Sequence, residues 1–132
     1  EICACLVGSE MCIRDRFLDC TSSLDDPLSV YGMAAADKAV QLVTPDIRSA
    51  AYYASFEKTY EQVKGKSIGV INITDKDLYL PVGGVKAGFS NAKYILPYSM
   101  YLKQQYITGE LTHKIPDQKF SAVCRGIAGA VL

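Results

Sequence analysis

The sequence has no tryptophan and a single histidine, His113, and its charges cancel, with 14 Lys and Arg against 14 Asp and Glu. No basic residues cluster, so the electrostatic footprint of a nucleic-acid binder is missing and no nucleic-acid partner is expected. No apolar run reaches the length that spans a bilayer. Cysteine is scarce outside the start of the chain: four of the five (Cys3, Cys5, Cys12 and Cys20) lie in the first twenty residues. Cys3-Ala4-Cys5 has one intervening residue, whereas zinc knuckles need two to four and a second ligand pair downstream. Neither a metal nor a disulfide framework is indicated. Phosphate-binding signals are missing too, because the glycine-rich GGVKAG stretch (83–88) lacks the Gly-Lys-Ser/Thr ending of a P-loop, and no cofactor is expected.

What is present begins oddly. The opening EICACLVGSEMCIRDR is no secretory signal, since Glu1 leads and Gly8-Ser9-Glu10 interrupts the apolar run after Val7. Leu6 to Asp15 back-translates without a gap as CTC GTG GGC TCG GAG ATG TGT ATA AGA GAC, and residues 1–16 closely resemble a translated adapter of transposase-based sequencing libraries. They are read as a non-native segment and set aside. Residues 17–132 are then expected to be a fragment of a single larger domain, truncated at the N-terminus and at the C-terminus. Without Arg14, Arg16, Glu1, Glu10 and Asp15, this remainder carries 12 basic and 11 acidic residues, and it keeps only Cys20 and Cys124.

Helix signals dominate the remainder. After Pro27, LSVYGMAAADKAVQLV carries an approximate helical stripe. Thr44-Pro45-Asp46 is a stronger start: Thr44 is the expected N-cap, Pro45 sits in the first turn where its missing N–H costs nothing, and Asp46 faces the helix dipole. Ile47, Ala50, Ala51 and Ala54 continue the helix toward Tyr60 and Val63, and Gly65 is the expected stop. SIGVINIT (67–74) and DLYLPV (77–82) have strand character on either side of Asp75-Lys76, which predicts a β-hairpin-like segment over about 67–82. Ser90 is expected to cap a helix bent at Pro97, placing Tyr94, Tyr98 and Tyr101 on one face, and Asp117 to open a last helix. The predicted class is α+β, helix-rich, with one hairpin-like segment.

No catalytic residue is assigned. His113 could serve Cys124 or a serine only if the fold joined them. Asp25-Asp26 and Asp75-Lys76-Asp77 lack the ligand spacing of a calcium loop. Asn72-Ile73-Thr74 matches a glycosylation acceptor but falls inside a predicted strand. The residues singled out, Thr44, Pro45, Asp46, Arg48 and Gly65, are structural.

AVQLVTPDIRSAAYY, with its Asp46-Ile47-Arg48 step and Tyr52-Tyr53 pair, a variable stretch, and then NAKYI with Lys93-Tyr94, resembles the C-terminal half of SusD/RagB outer-membrane lipoproteins. FLDCTSSLDDP resembles the segment before that step, so the likeness covers residues 17–95. It implies a non-catalytic nutrient-binding protein at the cell outer membrane. Such a protein would present an oligosaccharide or peptide ligand to a TonB-dependent transporter. Its ligand contacts would lie on variable loops, so the binding residues stay unassigned, and Asp46 and Arg48 would act as a cap and ion pair. The alternatives are a fragment of an enzyme whose active site lies mostly outside this window, and a virion or assembly subunit.

Overall fold

The computed structural model of the chain describes residues 17–21, 23–77, 80–89, 91–109 and 115–132. Residues 1–16, Ser90 and His113, each the subject of an expectation above, lie outside them. Among the described residues six α-helices accompany a small three-stranded sheet, so the chain is a helix-rich α+β protein.

The first expected helix is two elements. Asp26 caps α1 (Pro27–Ala35), its carboxylate accepting the Leu28 and Ser29 backbone N–H groups. The chain then breaks at Ala36-Asp37-Lys38 and continues as strand β1 (Ala39–Val43). Gln41 and Val43 are buried while Val40 and Leu42 are exposed. This period of two, with β-branched Val40 and Val43, decides against the helical stripe. Lys66 reaches the end of α1 and donates to the carbonyls of Ala34 and Ala36, the latter at 2.7 Å.

The second expected helix starts later than Pro45 and is interrupted. It comprises α2 (Ile47–Ser55) and α3 (Glu57–Val63), separated at Phe56, whose φ of -113° and ψ of 18° leave the helical region. Aromatic packing accompanies the break. Tyr52 lies 4.8 Å from Phe56 between ring centroids, and Tyr53 stacks on Tyr60 at 4.8 Å and makes a T-shaped pair with Phe89 at 4.6 Å. Gly65 is not a left-handed helix stop. It sits within a 3-10 turn (Lys64–Lys66) that feeds directly into β2 (Ser67–Asn72), and the only positive-φ glycine among the described residues is Gly109, which ends the helix Met100–Thr108.

The expected hairpin over 67–82 is a single strand. β2 pairs with β1 on one side and with β3 (Ala92–Leu96) on the other, both in parallel, giving the order β1-β2-β3. Parallel strands cannot be joined by a tight turn, so each pair is linked through helices: α2 and α3 between β1 and β2, α4 (Val82–Gly88) between β2 and β3. Leu78 and Tyr79 lie outside the described residues, and Val82, the expected end of the second strand, begins α4. The helix expected after Ser90 is likewise split: β3 holds Tyr94, Pro97 ends the strand, and α5 (Met100–Thr108) follows. The three tyrosines therefore share no helical face. Asp117 does cap α6 (Gln118–Val131), accepting the Phe120 N–H at 3.0 Å.

Helices cover both faces of the sheet. On one, Val43, Ile71, Val85 and Phe89 pack with Tyr53 of α2 and Val82 of α4. On the other, Ile68, Val70, Leu96 and Phe120 pack with Leu102 of α5 and Val123, Ile127 and Val131 of α6. The central strand is apolar on both sides because both are covered. Gly69 sits where β2 bulges against β3. Its N–H donates to Asn91 O at 3.0 Å, and a Cβ there would lie 2.6 Å from the Asn91 carbonyl carbon.

Candidate functional site

Parallel sheets covered by helices present polar loops at the carboxyl ends of their strands, and that is where such folds take ligands. Three loops meet this edge: Thr44-Pro45-Asp46 after β1, Ile73 to Asp77 after β2, and Pro97-Tyr98-Ser99 after β3.

The first loop is committed to structure. Asp46, not Thr44, is the N-cap of α2: its Oδ1 accepts the Ser49 N–H at 2.9 Å, and its carbonyl accepts the Ala50 N–H at 3.1 Å. Thr44 donates its hydroxyl to the Asp46 carboxylate and lies 2.9 Å from the Ser49 hydroxyl. The Thr44 hydroxyl, followed by the Ser49 N–H, holds the Asp46 carboxyl below its ordinary value, with the Arg48 charge contributing least. Arg48 is exposed on the first turn of α2. Pro45 is buried, and its carbonyl accepts the Leu80 N–H at 2.7 Å, tying this loop to the residues before α4. Of the residues singled out in the sequence, Thr44, Pro45, Asp46 and Arg48 share this one turn. Gly65 does not belong to it.

The second and third loops hold unused polar groups. Asn72 ends the central strand half-buried, and its side-chain amide has no partner among the described residues. The next residue is fixed, Ile73 N–H donating to Leu96 O at 3.0 Å. Asp75 accepts the Asp77 N–H at 3.1 Å. After β3, Ser99 is 5% exposed, and its hydroxyl has no partner among the described residues and does not cap α5, although its carbonyl accepts the Lys103 N–H at 3.2 Å. Buried hydroxyls are ordinarily paired, so this one is an unused hydrogen-bonding group. Lys103 lies 5.9 Å over the Tyr98 ring.

Sequence reading weighed Asn72 only as a glycosylation acceptor and missed Ser99. The available signal was an amide immediately after the apolar run Ile68-Gly69-Val70-Ile71. The other candidates do not assemble. Cys124 is half-buried on α6 against the second core, where burial pushes its thiol up and away from a reactive thiolate. Tyr94 is structural, donating its hydroxyl to Gly126 O at 3.0 Å. No group of three His, Cys, Asp or Glu side chains forms a metal-binding cluster among the described residues, and no described helix is long and apolar enough to cross a membrane. No family model matches the chain, and neither a curated protein nor a solved structure matches it.

Proposed function

We propose that the chain is the β-α-β-α-β half of a doubly wound nucleotide-binding unit, and that Asn72 at its carboxyl edge binds the base of an adenine nucleoside. This develops the enzyme-fragment alternative. The observation that supports it is an amide with no partner among the described residues at the carboxyl end of a parallel strand, the edge at which such sheets take ligands. An amide offers one donor and one acceptor, which matches the adenine edge at N6 and N7, whereas guanine presents two acceptors there.

The phosphates need a different place. The glycines that open α4, Gly83 and Gly84, lie within the helix, where the Gly84 N–H already donates to Pro81 O at 2.9 Å, and the Thr44-Pro45-Asp46 turn carries a carboxylate where an anion would sit. These loops therefore serve the base and ribose. In a titration followed by backbone amide NMR, adenosine and adenosine monophosphate bind with equal affinity, guanosine binds more weakly, and Asn72→Ala weakens adenosine about tenfold, the scale of one good hydrogen-bonding pair. Shifts that ignore Asn72→Ala, or no binding at all, would refute the assignment.

Nutrient binding at the outer membrane, with a TonB-dependent transporter as partner, is the competing proposal from the sequence resemblance. The observation that favours it is exposed aromatic surface on α5, where Tyr101 is 45% and Tyr106 90% exposed, because sugar rings stack on such faces. Oligosaccharide-induced shifts confined to α5, with none at Asn72, would select that reading.

A further inference from the structure

Two helices on the first face of the sheet stand apart and leave a cleft of about 320 Å3. Its apolar lining includes Val43, Tyr53, Val85 and Phe89, together with Leu80 and Pro81 from the segment before α4. The cleft is open because its walls are built from very small residues. α2 contributes Ala50 and Ala54, one turn apart, and α4 contributes Gly84 and Gly88, also one turn apart. A Cβ at Gly84 or Gly88 would meet nothing within 4 Å. Glycine is a poor helix residue, so a seven-residue helix with three of them gives up stability and leaves space unfilled. A volume of this size, mostly apolar and aromatic with Glu57 as the single charged side chain among the described lining residues, has the make-up of a small-molecule site.

The chemistry of the walls restricts the occupant. Glu57 lines the cleft, is exposed, and has no ion-pair partner among the described residues. The Leu80 N–H is already taken by Pro45 O at 2.7 Å. A carboxylate and the Tyr53 ring both favour a cation over an anion.

We propose that the cleft between α2 and α4 binds a small arylalkyl amine, its flat apolar body lying between the Ala50/Ala54 and Gly84/Gly88 walls and its ammonium group at Glu57. The cleft shares no lining residue with Asn72 or Ser99, so the site is independent of the nucleoside reading.

The test uses three probes of one shape, 2-naphthylmethylamine, 2-naphthylmethanol and 2-naphthoate, titrated into the full chain and followed by methyl shifts of Val43 and Val85. The amine binds about threefold more tightly than the alcohol, as one exposed charge contact allows, and the carboxylate binds weakest. Glu57→Gln equalises amine and alcohol. Gly84→Leu fills the cleft, abolishes binding of all three and does not lower the melting temperature, and Ala54→Leu does the same from the opposite wall. Equal affinities for the three probes, no binding, or binding that survives both filling substitutions in folded protein overturns the proposal.

Discussion

The carboxylate of Asp46 accepts a helix N–H, faces the dipole of α2 and is bonded by Thr44, and each of these contacts stabilises its charged form. Replacing it with alanine is expected to cost about 1 kcal/mol, the ordinary worth of an N-cap. Because the folded-state carboxyl titrates below its ordinary value of 3.8, its contribution is present in full above that value and is lost as pH falls through the lower, folded value. Asp46→Asn keeps a capping oxygen without the titration. Thermal melts between pH 5 and pH 2 should therefore show a steeper acid loss for the parent than for the variant, and parallel curves would remove Asp46 from the cap role. Glycine gives a second contrast at this scale. Gly69→Ala forces a Cβ into the Asn91 backbone and is expected to cost about 1 to 3 kcal/mol. Gly65→Ala meets open space without a left-handed φ and is expected to stabilise by about 0.4 to 1 kcal/mol. Denaturant midpoints for the two variants should move in opposite directions.

At the scale of elements, local capping signals served well and period signals served less well. Asp117 caps α6 as its position before an apolar-periodic run suggests, and the helix around Ile47 to Val63 exists in two pieces. AVQLV was misjudged because five residues can satisfy either a helical or a strand period, and burial of Gln41 and Val43 against α3 and α2 resolves it. The hairpin expectation failed for a different reason. Asp75-Lys76 looks like a turn between strands, but the strand pairs of β2 come from 23 or more residues away in the chain, in parallel, and no short-range signal encodes a parallel partner. Tyr94 shows the same effect: it lines up with Tyr98 and Tyr101 in helical register, yet it lies in β3 and donates to Gly126 across the second core. Gly126 permits that approach, since a Cβ there would lie 3.2 Å from the Tyr94 ring.

For the whole molecule, the sheet ends differently on its two sides. β3 carries Lys93 on its edge strand, a charge that discourages further pairing, whereas β1 is the uncharged AVQLV with Leu42 62% and Val40 42% exposed. The chain is therefore expected to self-associate at micromolar concentration through β1. Leu42→Lys should raise the monomer fraction in sedimentation velocity without lowering the melting temperature. An unchanged distribution would place the association elsewhere, with exposed Leu132 at the end of α6 as the next surface to vary.

The sequence by itself determined the mixed composition of helix and sheet, the position of the α2 turn at Thr44-Pro45-Asp46, the cap of α6 and the apolar character of Ser67–Asn72. These depend on side chains acting on their own backbone within a few residues, where propensity and capping are strong. Tertiary structure alone decided that the strands run parallel, that helices cover both faces of the sheet, and that Asn72 and Ser99 come to its carboxyl edge, Ser99 with a buried hydroxyl that has no partner among the described residues. Those outcomes depend on which distant segments bury each other's apolar faces, a choice made by the free energy of the assembled core and not by any one stretch of chain.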